Sequence, residues 1–251
     1  MRRGLSAGGL GILHKRSSTI QLLQNLACKI LSKNDSITSM QTITELAIEK
    51  SKRAVFTRQE AAFWARTDGA ALNGLLKRAI QQKEIVRHRR GLYGLAPRYE
   101  RYQIHPFALA QYLYGPSYIS LECALAHHGW IPEAVYAITC TTSSRSQSFE
   151  TPLGLFSFTR IPQDIFFAGV LRETTSDGGV FFLASPLKAL ADYVYVHRPD
   201  WDSLESARGK LRIEESELKT VDPAMVDELS GVYREKIVLR FLENVRQEVM
   251  S

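Results

Sequence analysis

Arg87-His88-Arg89-Arg90 sets three fixed positive charges within four residues. Guanidinium groups at that density suit phosphate. Each phosphate contact releases counterions and adds affinity, but carries no base information. Upstream, Ala70, Asn73 and Lys77 recur at helical spacing, with Arg78 on the flank. Asn73 is the best candidate for a base edge, because Asn pairs bidentately with adenine. Lys77 and Arg78, one turn later, reach phosphate. Ala70, Ala71 and Gly74 are small where a groove wall would approach. With Arg58 and Tyr93, the candidate DNA contacts are Arg58, Ala70, Asn73, Lys77, Arg78, Arg87, His88, Arg89, Arg90 and Tyr93.

Charge segregates along the chain. Residues 1–101 hold nineteen Lys and Arg against seven Asp and Glu, a net +12; residues 102–251 hold thirteen against nineteen, a net −6. A basic first part joined to an acidic remainder points to a polyanionic partner for the first part. A merely solvated basic surface is the other reading.

Other chemistry finds little support. No phosphate-loop or dinucleotide glycine pattern occurs, and the common nucleophile motifs are absent. His127-His128 lacks a nearby Cys or carboxylate pattern and reads as a helix C-terminal feature, not a metal site. Asp177 and Asp192 read as a turn residue and a helix surface charge. Enzymatic activity and cofactors are not expected. Cys28, Cys123 and Cys140 are odd in number and widely spaced, as in a cytosolic protein with reduced thiols. Residues 1–13 superficially resemble a signal peptide, but three glycines break the apolar part and His14-Lys15-Arg16 follows at once. No apolar run reaches the ~18 residues of a membrane span. A cytoplasmic location without membrane contact is expected.

The elements that must position these residues follow from periodicity. Residues 1–35 are an extension with one helix, Ser18 to Leu31. Residues 36–97 hold a helix to Lys50, a short strand at Ala54–Phe56, and a helix Arg58–Ala65. Thr57 and Glu60 form a capping box for the latter. A break at Thr67-Asp68-Gly69, a helix Ala70–Gln82 and a hairpin Ile85–Leu95 turning at Gly91 complete the order. Helix, strand, helix, turn, helix, basic hairpin is the order of a winged helix-turn-helix.

Pro97–Gln103 reads as a linker. Residues 104–251 read as an α+β domain with a small, mainly antiparallel sheet and C-terminal helices. Helices are expected at 105–114 and 118–128, the latter capped by Ser120. Strands are expected at 136–142, 154–161, 165–171 and 180–184, with Ser143–Glu150 a polar loop. Pro186 opens a helix, and others follow at 203–211, 223–230 and 233–249. In the last, Val238, Leu239, Leu242 and Val245 are core or an interface.

Several of these segments resemble the AbiEi family of antitoxins from type IV (abortive-infection) toxin–antitoxin systems. They are Val55-Phe-Thr-Arg-Gln-Glu-Ala, Leu75-Leu-Lys-Arg-Ala, Ile85-Val-Arg-His-Arg-Arg-Gly-Leu-Tyr, Ser117-Tyr-Ile-Ser-Leu-Glu-Cys-Ala-Leu, Thr151-Pro-Leu-Gly-Leu-Phe-Ser-Phe and Ala184-Ser-Pro-Leu-Lys-Ala-Leu-Ala-Asp. The resemblance implies a winged-helix repressor that binds double-stranded DNA at inverted promoter repeats. It also implies a C-terminal domain that counters a nucleotidyltransferase toxin. The chain departs from the family's plan in its extension 1–35 and in Ala70-Ala71 opening the recognition helix. A stand-alone regulator with a ligand- or protein-binding C-terminal domain is the alternative.

Overall fold

The computed structural model describes residues 41–250, apart from 52, 54, 100–103, 134, 176 and 177. The expected extension helix, Cys28 and Asp177 lie outside the described residues. From Ile43 onward the chain forms one compact α/β unit. Two hydrophobic clusters lie within it, one formed by residues 43–95 and a larger one dominated by residues beyond 108.

The smaller cluster is enclosed by α1 (Ile43–Lys50), α2 (Arg58–Ala65), α3 (Gly69–Gln81) and a three-stranded sheet. That sheet has the order β1-β3-β2, from β1 (Val55–Thr57), β2 (Ile85–Arg89) and β3 (Leu92–Leu95). Ile43, Phe56, Leu72, Leu76 and Ile85 are its buried centre. Helix α2 starts where the capping box predicts. Thr57 Oγ1 accepts from the Glu60 amide at 3.2 Å, and Glu60 Oε2 accepts from the Thr57 amide at 2.7 Å.

The second part adds α4 (Pro106–Leu113), β4 (Ser117–Ile119), α5 (Leu121–His127), β5 (Ala137–Thr142), β6 (Gln147–Thr151), β7 (Gly154–Arg160), β8 (Val170–Thr174) and β9 (Val180–Ala184). Helices α6 (Pro186–His197), α7 (Leu204–Leu211), α8 (Glu215–Leu218), α9 (Pro223–Ser230) and α10 (Lys236–Met250) follow. Its sheet is six-stranded and mixed, in the order β6-β7-β5-β4-β9-β8. Two pairings, β4 with β9 and β5 with β7, are parallel. The sheet is therefore larger and less uniformly antiparallel than its sequence suggests.

Three expected elements change. The apolar run expected to open a helix at 118 instead forms β4, and the helix starts only after Ser120, whose backbone is extended. Ser143–Glu150 is not all loop, because β6 is an edge strand whose polar residues face out while Phe149 packs inward. The strand expected over 165–171 shifts to Val170–Thr174. Ile165–Ala168 turn instead, with Phe166 packed 5.0 Å from the Tyr118 ring. In α10, Val238, Leu242 and Val245 are buried, so this face is core.

The two parts are in close contact. Val55 and Leu92, from the smaller sheet, are buried in the larger cluster. Strand β2 lies alongside β6.

Candidate nucleic-acid interface

Helix α3 is built from an alternation that separates two faces. Leu72, Leu76 and Ala79 are buried, Ile80 is half-buried against their cluster, and Leu75 is half-buried. Ala70, Ala71, Asn73, Gly74, Lys77 and Arg78 are exposed. Asp68, in the expected break, stands at the N-cap position but makes no side-chain cap bond. Its carboxylate holds Arg58 at 2.6 Å, which ties the start of α2 to the start of α3.

Gly74 costs the helix about 1 kcal/mol relative to alanine. Nothing lies within 4 Å of the place a Cβ would occupy. Internal packing therefore does not explain this glycine; the space in front of it is open for another backbone.

The β2–β3 hairpin, the expected wing, turns at Arg90-Gly91, where Gly91 adopts φ +80°, a conformation that suits glycine. The Gly91 carbonyl accepts from the Arg58 amide at 2.9 Å, so the turn is anchored to α2. Arg87 and Arg90 are exposed and pair with no carboxylate among the described residues. Lys77 and Arg78 are equally free. Arg89 is exposed but engaged: it donates to the Arg90 carbonyl at 3.2 Å and to the Tyr112 carbonyl of α4 at 3.3 Å.

Two of the expected contacts lie inside the protein. Tyr93 is buried and stacks on Phe56 at 5.8 Å, because β3 is the central strand of the small sheet. His88 is only 4% exposed. The β2–β3 register shifts between Arg87 and Arg89, and His88 is the unpaired residue of this bulge. The structure thus leaves Ala70, Asn73, Lys77, Arg78, Arg87 and Arg90 as open candidates, Arg58 and Arg89 as engaged ones, and removes His88 and Tyr93 from the surface.

Burial of His88 pushes its imidazole from 6.5 down to about 4. Its Nδ1 has no hydrogen-bond partner. The unfolded chain therefore binds a proton between these values that the folded chain does not. Stability is full above pH 6.5 and falls as the pH drops towards 4. The expected loss at pH 5 is about 2 kcal/mol. Urea unfolding at pH 7 and pH 5 measures it, and the His88→Leu variant should lose this part of the pH dependence. An equal pH dependence in both chains would refute the assignment.

The second part has a buried charged centre. Asp192, expected on a helix surface, is fully buried, as is Lys188 one turn before it. Oδ2 of Asp192 accepts from Tyr118 at 2.9 Å, Ser120 at 2.7 Å and Thr141 at 3.2 Å. Oδ1 accepts from Tyr233 at 2.6 Å and Gln163 at 3.0 Å, and lies 3.6 Å from Lys188 Nζ. Burial and the Asp192 charge hold both tyrosines well above their ordinary range, so they donate as neutral phenols. These donors occupy the carboxylate's accepting positions. The arrangement pins β4, β5, the 163 loop and Tyr233 to α6. A signal is present in the sequence: Lys188 and Asp192 interrupt an apolar segment, Leu187–Val194, at i and i+4.

His127 ends α5, and His128 caps it with Nε2 2.8 Å from the Ala184 carbonyl. No helix among the described residues is long and apolar enough to cross a membrane. No family model matches the chain, and no curated protein matches it.

Proposed function

We propose that residues 43–95 are a winged helix-turn-helix and that the chain is a cytoplasmic, non-enzymatic transcriptional repressor that binds repeats in its own promoter. The observation that carries this reading is the pairing of two surfaces. One is the exposed face of α3, with Asn73, Gly74 and Lys77. The other is a wing whose Arg87 and Arg90 have no ion-pair partner among the described residues. Helix-turn-helix proteins lay such a helix in the major groove. The free thiols of Cys123 and Cys140 fit a reducing compartment. The resemblance to the AbiEi antitoxins supplies the second half of the proposal: the C-terminal part counteracts a nucleotidyltransferase toxin, with or without stable contact.

The test is fluorescence anisotropy of the full chain on a duplex from upstream of its own gene, against a scrambled duplex. Tighter binding to the upstream duplex is expected. Gly74→Ala is the informative variant. Alanine should stabilise the isolated fold by up to ~1 kcal/mol and weaken DNA binding, because its methyl enters the space left for the groove. Equal or tighter DNA binding by this variant would remove α3 as the reading helix.

One observation favours a ligand-binding second part. A concavity of about 420 Å³ is lined by Leu204, Leu218, Val221 and Val249 together with Glu205, Glu215, Lys219 and Glu248. It is of the size that small molecules occupy.

A further inference from the structure

We propose that Arg145 and Arg160, at one end of the six-stranded sheet, form a second contact with the DNA backbone beyond the wing. The proposal rests on the DNA-binding reading above and extends its footprint into the otherwise acidic part of the chain.

The first observation is which cations stand free. Residues 102–251 hold thirteen Lys and Arg. Nine of them sit within 4.0 Å of a carboxylate: Lys188, Arg198, Arg208, Lys210, Arg212, Lys219, Arg234, Arg240 and Arg246. With nineteen carboxylates in the same residues, pairing is the rule there. Among the described residues only Arg145, Arg160, Arg172 and Lys236 depart from it.

The second observation is that two of these four meet. Arg145 lies in the loop between β5 and β6. Arg160 ends β7, its amide donating to Ser146 Oγ of that loop at 2.9 Å. Both arginines are exposed, as are Ser143 and Ser146. Hydroxyls and guanidinium groups are the usual donors to phosphate oxygens. From Thr141 to Gln163 the only acidic residue is Glu150, so this stretch is net positive within a half that is net −6.

The third observation is where the loop sits. It opens directly into β6, the edge strand beside wing strand β2. Contacts run from the wing to β6: Arg89 donates to the Tyr112 carbonyl, and the Tyr114 ring lies 5.9 Å from Phe149 of β6. Arg145 is four residues before Phe149, roughly 13 Å along the chain at about 3.3 Å per residue. That distance equals about four nucleotide steps of axial rise. The loop is thus no more than about 13 Å from a residue of the strand beside β2, and in the proposed footprint a duplex held by the hairpin runs across it. Arg172, by contrast, is on β8 at the opposite edge of the sheet.

The experiment measures the salt dependence of binding by the full chain to the upstream duplex, with flanks longer than one helical turn. Arg145→Gln/Arg160→Gln should lower the slope of log K against log salt by about 2 and weaken binding about tenfold at physiological salt. Arg145→Lys/Arg160→Lys keeps the charge and should keep the slope. Arg172→Gln should match the wild type. A wild-type slope in the double glutamine variant would overturn the proposal while leaving the wing reading intact. Absence of duplex binding by the wild-type chain would overturn both.

Discussion

Asp192→Ala is expected to destabilise the protein by about 3–5 kcal/mol, the cost of removing one partner from a buried ion pair. A domain has only about 5–15 kcal/mol of stability in total. The melting temperature should fall by roughly 6–20 °C, at about 2–4 °C per kcal/mol for a chain of this size. The reason is specific to this site. The substitution strands Lys188, which is fully buried, and leaves the hydroxyls of Tyr118, Ser120, Thr141 and Tyr233 without the acceptor they share. Lys188→Met should cost less. Burial already lowers the lysine's affinity for its proton, and the Asp192 carboxylate keeps five hydrogen-bond donors. Lys188→Met/Asp192→Leu should recover part of the loss, since an apolar pair leaves no unpaired charge. Denaturant unfolding of the three variants measures the order. Asp192→Ala within 1 kcal/mol of wild type would show that the network is not what holds α6 to the sheet.

Local signals made the first part readable. Thr57 and Glu60 name their own cap, and the leucines of α3 repeat at helical spacing. Gly91 marks the hairpin turn. Long-range pairing was less visible. Nothing near Tyr93 says that β1 will pair on the far side of β3 and turn this residue into core. The run Arg87–Arg90 looks like four surface groups, yet alternation along a strand already turns His88 away from its neighbours. In the second part, β6 was hidden because only one side of an edge strand must be apolar, so Phe149 stood alone in a polar stretch. The burial of Asp192 is not visible locally, for a related reason. Its partners lie 29 to 74 residues away in sequence, apart from Lys188, and only the folded sheet brings them together.

The same distinction between free and engaged groups sets the expected result at the wing. Arg87→Ala/Arg90→Ala should weaken binding to any duplex by about 10- to 100-fold at physiological salt and lower the salt slope by about 2. Arg87 and Arg90 are the pair to remove, because Arg89 already donates to the Tyr112 carbonyl and its loss would also disturb the contact between wing and α4. Phosphate contacts carry no base information. The ratio of affinities for upstream and scrambled duplexes should therefore survive the double substitution. Asn73→Ala should do the opposite. It should leave the salt slope unchanged and cost about 1–3 kcal/mol of discrimination, if its amide pairs with a base edge. Anisotropy titrations at several salt concentrations separate the two effects on one pair of duplexes. Unchanged affinity and slope in the arginine variant would remove the wing from the interface. A fall in specificity with unchanged slope would reassign those arginines from phosphate to bases.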